Sequence, residues 1–190
     1  MQIVWGNEGV YFNEDGTLKK DGTYTADGTS TKFGIAYKFN KAELLEFGIN
    51  SPEQMNQLGV TAAAEIYKRK YWHKCGAETI KDYALAYLIF DCAVNQGIGA
   101  SIRIVQEAIN TLSDKKPIKI DGGLGPVTKA KILEVSANYS HSFAKLVRIL
   151  REREYYQSLF NRCLKAPDEA EALFQRFETS WMRRLTKVEL

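Results

Sequence analysis

Cysteine, histidine and proline are scarce in this chain of 190 residues, and each scarcity excludes something. The cysteines, Cys75, Cys92 and Cys163, are odd in number, widely spaced and without a Cys-x-x-Cys pair. Such a set builds neither a disulfide framework nor a zinc site. It reads as free thiols packed as small hydrophobes in a chain folded in a reducing compartment. His73 and His141 are remote from each other and from any Cys or Ser motif, so neither a triad nor a metal centre is read. No metal and no cofactor are expected. The four prolines all stand at turns or helix starts, which leaves the helical segments between them uninterrupted.

Long apolar runs are missing as well. The longest, from Tyr83 to Phe90, is far too short to span a bilayer. No basic-then-apolar leader opens the chain. Excess charge of one sign is slight, at +3 overall. Residues 1–120 carry 14 basic and 14 acidic side chains, and residues 121–190 carry 12 and 9. This suits an anionic polymer weakly. It does not make a nucleic-acid binder, because no basic face with interleaved aromatics accompanies it. Hydrophobic residues at 45% and charged residues at 26% are ordinary globular values.

What is present begins with Glu8-Gly9-Val10-Tyr11, a carboxylic acid at a chain reversal with Trp5, Val10 and Tyr11 as a local apolar wall. Burial against such a wall raises a glutamic acid pKa, which keeps a general acid protonated near neutral pH. Asp15-Gly16-Thr17, Asp21-Gly22-Thr23 and Asp27-Gly28-Thr29 follow at a six-residue period. Asp-Gly supplies the positive φ of tight turns and Thr favours strand, so a small β-hairpin region is expected before Lys32.

Helices dominate afterwards. Asn40 with Glu43 reads as a capping box, and Gly48 as that helix's end. Ser51-Pro52 and Thr61 open two more helices. Residues 80–96, apolar nearly all round, mark a buried helix that Gly97 breaks. A helix over about 100–112 follows. A loop, Asp121–Gly125, leads into a helix started by Pro126. Two long amphipathic helices, about 141–165 and 167–185, are divided by Ala166-Pro167. The fold class expected is mainly α, with a small hairpin near the amino terminus and a pair of long helices at the carboxyl end.

Glu8-Gly9-Val10-Tyr11, Thr31-Lys32-Phe33-Gly34-Ile35 and Val94-Asn95-Gln96-Gly97, in this order, resemble the N-acetylmuramidases of glycoside hydrolase family 108, a lysozyme-like family. Asp121–Thr128 and the ending from Arg153-Glu154-Tyr155-Tyr156 to Trp181-Met182-Arg183-Arg184 resemble the peptidoglycan-binding segment that follows in that family. Val10 departs from the family's second glycine. The resemblance implies a muramidase region at residues 1–112 and a peptidoglycan-binding helical region at 113–190, packed on it. It implies Glu8 as the catalytic acid. Asp27, four residues before Thr31, is preferred over Asp15 and Asp21 as the second carboxylate, although turn chemistry explains all three. Thr31 is a candidate to hydrogen-bond the attacking water or that carboxylate, or a plain strand residue. Asn95, like the family's Asn, is expected to line the cleft, with Tyr11 and Trp181 as further sugar contacts.

Asp91 shares a helix face with Asn95 and is read as tying the loop near Gly97. Tyr155, Tyr156, Phe160, Phe174, Phe177 and Trp181 are read first as packing between the last helices. The Asp121 loop is read as structural before it is read as wall recognition. The partner implied is peptidoglycan, met by a monomer made in the bacterial cytoplasm without a signal peptide and acting after release or export, as an endolysin would. The alternative is a wall-binding or secretion-associated protein that kept this fold and lost the chemistry.

Overall fold

The computed structural model describes residues 30–113 and 117–177. It divides into two compact units, Met1–Lys70 and Tyr71–Leu190. Glu8, Tyr11, Asp27 and Trp181, and the Asp-Gly repeats, lie outside the described residues.

In the first unit, strands β1 (Thr31–Lys32) and β2 (Ile35–Ala36) pair antiparallel, Thr31 opposite Ala36 and Lys32 opposite Ile35. Helix α1 (Lys41–Leu45), a 3-10 turn (Pro52–Gln57) and helix α2 (Val60–Tyr67) follow, and a π-helical turn continues from Lys68 to Trp72. The core of this unit is Phe33, Ile35, Leu44, Ile49, Met55, Leu58, Ala63 and Ile66, all buried. Burying each of its large aliphatic side chains contributes about 1.5–3 kcal/mol. The expected capping box at Asn40 does not form. The Asn40 Nδ2 instead donates to the Ala36 carbonyl at 2.7 Å, and its Oδ1 accepts from Lys70 Nζ at 2.8 Å. Glu43 faces the same ammonium at 3.0 Å. A lysine from α2's extension outcompetes the backbone amides for both groups. Gly48, at φ +77°, follows α1 as the glycine signal predicts.

In the second unit, helix α3 (Tyr83–Gln96) is buried without a break from Leu85 to Ala93, as its all-round apolar sequence requires. Asp82 caps it, accepting from the Leu85 amide at 3.1 Å. Gly97, at φ +89°, separates α3 from α4 (Ile98–Leu112). Helix α5 (Pro126–Lys165) runs 40 residues. The two helices expected on either side of residue 140 are thus one element, with non-helical backbone only at Tyr139. Next to that break the Ser140 hydroxyl donates to Asp82 at 2.5 Å, so one carboxylate joins the start of α3 to the kink in α5. A 3-10 turn at Pro167 leads into α6 (Ala170–Phe177).

Leu85, Leu88 and Ile89 of α3, Ile102, Val105 and Ile109 of α4, and Ile132, Phe143 and Val147 of α5 make this unit's core. Tyr155, Leu159 and Phe177 form a smaller buried cluster near the end of α5, with Tyr156 4.9 Å from the Phe177 ring. The aromatic reading of these helices therefore holds for Tyr155, Tyr156 and Phe177. Phe160 and Phe174 are instead exposed. The three cysteines are free thiols, and burial pushes the Cys75 thiol up to about 12. Among the described residues no helix is long and apolar enough to cross a membrane.

Candidate active site

Thr31 is the one proposed catalytic residue within the described part of the chain, and it opens a hairpin of only two rungs. A hairpin that short does not hold itself. Its turn, Phe33-Gly34, has positive φ at both central positions, 53° and 75°, which is the type I′ arrangement. Glycine suits the second position. The first normally takes Asn or Asp, and phenylalanine there bears a cost of roughly 1–2 kcal/mol for the left-handed region. Phe33 is the one non-glycine residue at positive φ among the described residues.

Neighbouring elements supply what the short ladder does not. The Phe33 ring is buried, and its carbonyl accepts from the Tyr67 hydroxyl at the end of α2, at 3.0 Å. Lys32 Nζ donates to the Asn56 carbonyl at 2.6 Å and lies 5.3 Å from the Phe33 ring centre. Burial lowers the pKa of that ammonium. Tyr37 donates its hydroxyl to the Asn50 carbonyl at 2.5 Å and its amide to the Ser30 carbonyl at 2.9 Å. Thr31 thus sits on a strand clamped at its turn, its side chain and its exit.

In the second unit, Asn95 occupies the last turn of α3, half-buried, one turn beyond the fully buried Asp91. Asp91, read from the sequence as tying the Gly97 loop, reaches α5. Its carboxylate accepts from Arg151 Nη2 at 2.6 Å, and the same nitrogen donates to the Tyr155 hydroxyl at 2.8 Å. Burial opposes the Arg151 charge, but Asp91, Cys92 and Tyr155 together outweigh it and the pKa rises. The pair anchors the helix that carries Asn95 to α5.

The Asp121 loop is held by Gln106 of α4. The Gln106 oxygen accepts from the Asp121 and Gly122 amides at 3.0 and 2.9 Å. Its two N–H groups are shared among three acceptors, Asp121 Oδ1, the Gly123 carbonyl and Thr128 Oγ1. These bonds support the structural reading of Asp121. The Gln106 hydrogen bond holds the Asp121 carboxyl below its ordinary pKa. Among the described residues no group of three or more His, Cys, Asp or Glu side chains could hold a metal ion.

Tyr67, Arg151, Gln106 and Asp82 are the positioning groups that sequence reading passed over. Tyr67 stands on the helix expected to open at Thr61. Gln106 and Arg151 are polar residues on otherwise apolar helix faces, and that signal could have found them.

No curated protein matches the chain. Among solved structures, that of Brucella abortus SagA is similar, with a TM-score of 0.58 at 20% identity, over 99% of this chain and 88% of that one. At that identity the likeness establishes the fold, mainly α and lysozyme-like. The model of the family described as glycosyl hydrolase 108 matches residues 1–97, just over half the chain. That stretch takes in Glu8, the Thr31 hairpin and the Val94–Gly97 motif, and the chain belongs to this family of glycoside hydrolases, whose activity is in general on peptidoglycan.

Proposed function

We propose that this protein is an N-acetylmuramidase that cleaves the β-1,4 bond between N-acetylmuramic acid and N-acetylglucosamine. Glu8 protonates the leaving oxygen. Asp27 assists the attacking water or stabilises the oxocarbenium-like transition state, and Thr31 hydrogen-bonds that water or carboxylate. Tyr11, Asn95 and Trp181 contact the sugars. The observation that carries this reading is the family match across residues 1–97, which includes Glu8 and the clamped Thr31 hairpin.

Residues 1–112 are the catalytic region in this reading, and 113–190 add peptidoglycan binding. A groove of about 350 Å³ along α5, lined by Glu154, Gln157, Asn161 and Arg162 among others, supports the second role. Its mixed donors and acceptors suit a polysaccharide bearing carboxylates. The protein acts on the bacterial wall after release or export, as an endolysin does.

The decisive experiment is release of reducing ends from purified walls. Wild type is expected to release them and Glu8→Gln to lose that activity while still pelleting with walls. Clearing by Glu8→Gln at the wild-type rate would remove Glu8 from the mechanism. Binding without any release by wild type would mark a fold that has lost its chemistry.

A further inference from the structure

Tyr67 stands outside every motif that suggested the function, yet its hydroxyl makes a buried bond to the one non-glycine residue at positive φ among the described residues. Phe33 holds φ at +53°, a position normally avoided by a bulky side chain. Such outliers persist only where the surroundings over-determine them, and they cluster at sites where geometry matters. Here the surroundings can be named. The Phe33 ring and the Tyr67 ring are both buried, and Tyr67 Oη donates to the Phe33 carbonyl at 3.0 Å.

The direction of that carbonyl decides the turn type. A type I′ turn and its II′ relative differ chiefly by a flip of the peptide between the two central residues. The Phe33 carbonyl belongs to that peptide. With the Tyr67 hydroxyl bonded to it, the flip would break that buried bond. The turn is therefore held in one state. In a hairpin of two rungs the turn sets the register and twist of everything behind it, and the strand residue furthest from the turn is Thr31, paired with Ala36.

We infer that Tyr67 is a positioning residue for Thr31: its hydroxyl locks the strained Phe33-Gly34 turn, and the locked turn holds the Thr31 hydroxyl in its working place. Lys32, bonded to the Asn56 carbonyl, holds the same strand from its side. This inference rests on the muramidase reading, in which Thr31 acts at the reacting centre.

The test is a double-mutant cycle read by steady-state kinetics on soluble glycan strands. Tyr67→Phe keeps the ring and removes the bond to the Phe33 carbonyl. It is expected to lower kcat by about tenfold with KM within twofold, the pattern of a displaced reacting group. Thr31→Val removes the group being positioned. In that background Tyr67→Phe is expected to cause no further loss in kcat. A tyrosine acting only through overall stability would slow both backgrounds alike, and that result would overturn the inference. So would a wild-type kcat in Tyr67→Phe.

If Tyr67→Phe does not fold, Lys32→Met replaces it, since Lys32 lies at the edge of the core. Its kcat should fall only while Thr31 is present, and an unchanged kcat overturns the inference. A wild-type protein that releases no reducing ends sinks the hydrolase reading itself, and the positioning role with it. A clearing wild type with an indifferent Tyr67→Phe sinks the positioning role alone.

Discussion

Arg151 and Asp91 form a fully buried ion pair, Nη2 to Oδ2 at 2.6 Å, between the helix that carries Asn95 and the long helix α5. Two charges taken out of water are costly, and the pair is retained here with the Tyr155 hydroxyl as a third member. The Nε and Nη1 of Arg151 are buried without a hydrogen-bond partner among the described residues, which adds to that cost. The arrangement is therefore weak evidence for net stability but strong evidence for a specified geometry.

Removing one partner should expose this asymmetry. Arg151→Met leaves the Asp91 carboxylate buried beside an apolar chain and is expected to cost about 3–5 kcal/mol. The double change Arg151→Met with Asp91→Leu should cost clearly less than the single one. Urea unfolding of the three proteins measures this. A double variant weaker than Arg151→Met would show that Asp91 is held chiefly by other groups.

Asp82 makes stability depend on pH in a defined sense. The Ser140 hydroxyl first, and the Leu85 amide second, hold its carboxyl below the ordinary range. A depressed folded-state pKa contributes stability that is present above the unfolded value, about 3.9. That contribution fades as pH falls through the lower folded value. At pH 7 Asp82→Ala should cost about 1 kcal/mol as a lost helix cap. The gap between the wild type and Asp82→Asn should shrink as pH is lowered below about 4. Urea midpoints taken at pH 7, 4 and 3 decide it, and a gap that widens on acidification would contradict the assignment.

The Asp121 loop should behave as a tethered structural element. Gln106→Leu leaves the Asp121 and Gly122 amides without their acceptor, a loss of about 2 kcal/mol. Amide exchange at those two positions should accelerate in that variant while the core of α3 stays protected. Gly122→Ala should be worse than an ordinary surface change, by more than about 1 kcal/mol. Gly122 sits at φ +76°, and a Cβ there would lie 2.7 Å from the Gly99 carbonyl oxygen. An unaffected exchange rate in Gln106→Leu would return the loop to the list of candidate recognition elements.

Much of the helical plan was legible because its signals are local. The apolar run of α3, the glycine after it and Pro126 at the start of α5 each act within a few residues. The capping box at Asn40 was legible too, yet it failed. Lys70 offered both Asn40 and Glu43 a charged partner, which local pattern does not contain. The break expected near residue 140 shrank to a kink at Tyr139, because α5 continues packing on both sides of it. Of the candidate site, Thr31–Ile35 was visible as a motif, but the hairpin was expected in the Asp-Gly repeats before it, which lie outside the described residues. The tyrosine that holds that motif was not visible, since nothing in Ile66-Tyr67 distinguishes a core aromatic from a brace.

By itself the sequence determined the mainly helical class, the motif order that the family match covers, and which faces are apolar. The class and the apolar faces follow from periodicity and turn chemistry, whose reach is one or two helical turns, and the motif order from resemblance to the family. Tertiary structure alone decided that Tyr67 meets Phe33 across 34 residues, and that Arg151 meets Asp91 across 60. A buried polar group must find its partner wherever packing brings one, and no short-range pattern encodes that choice.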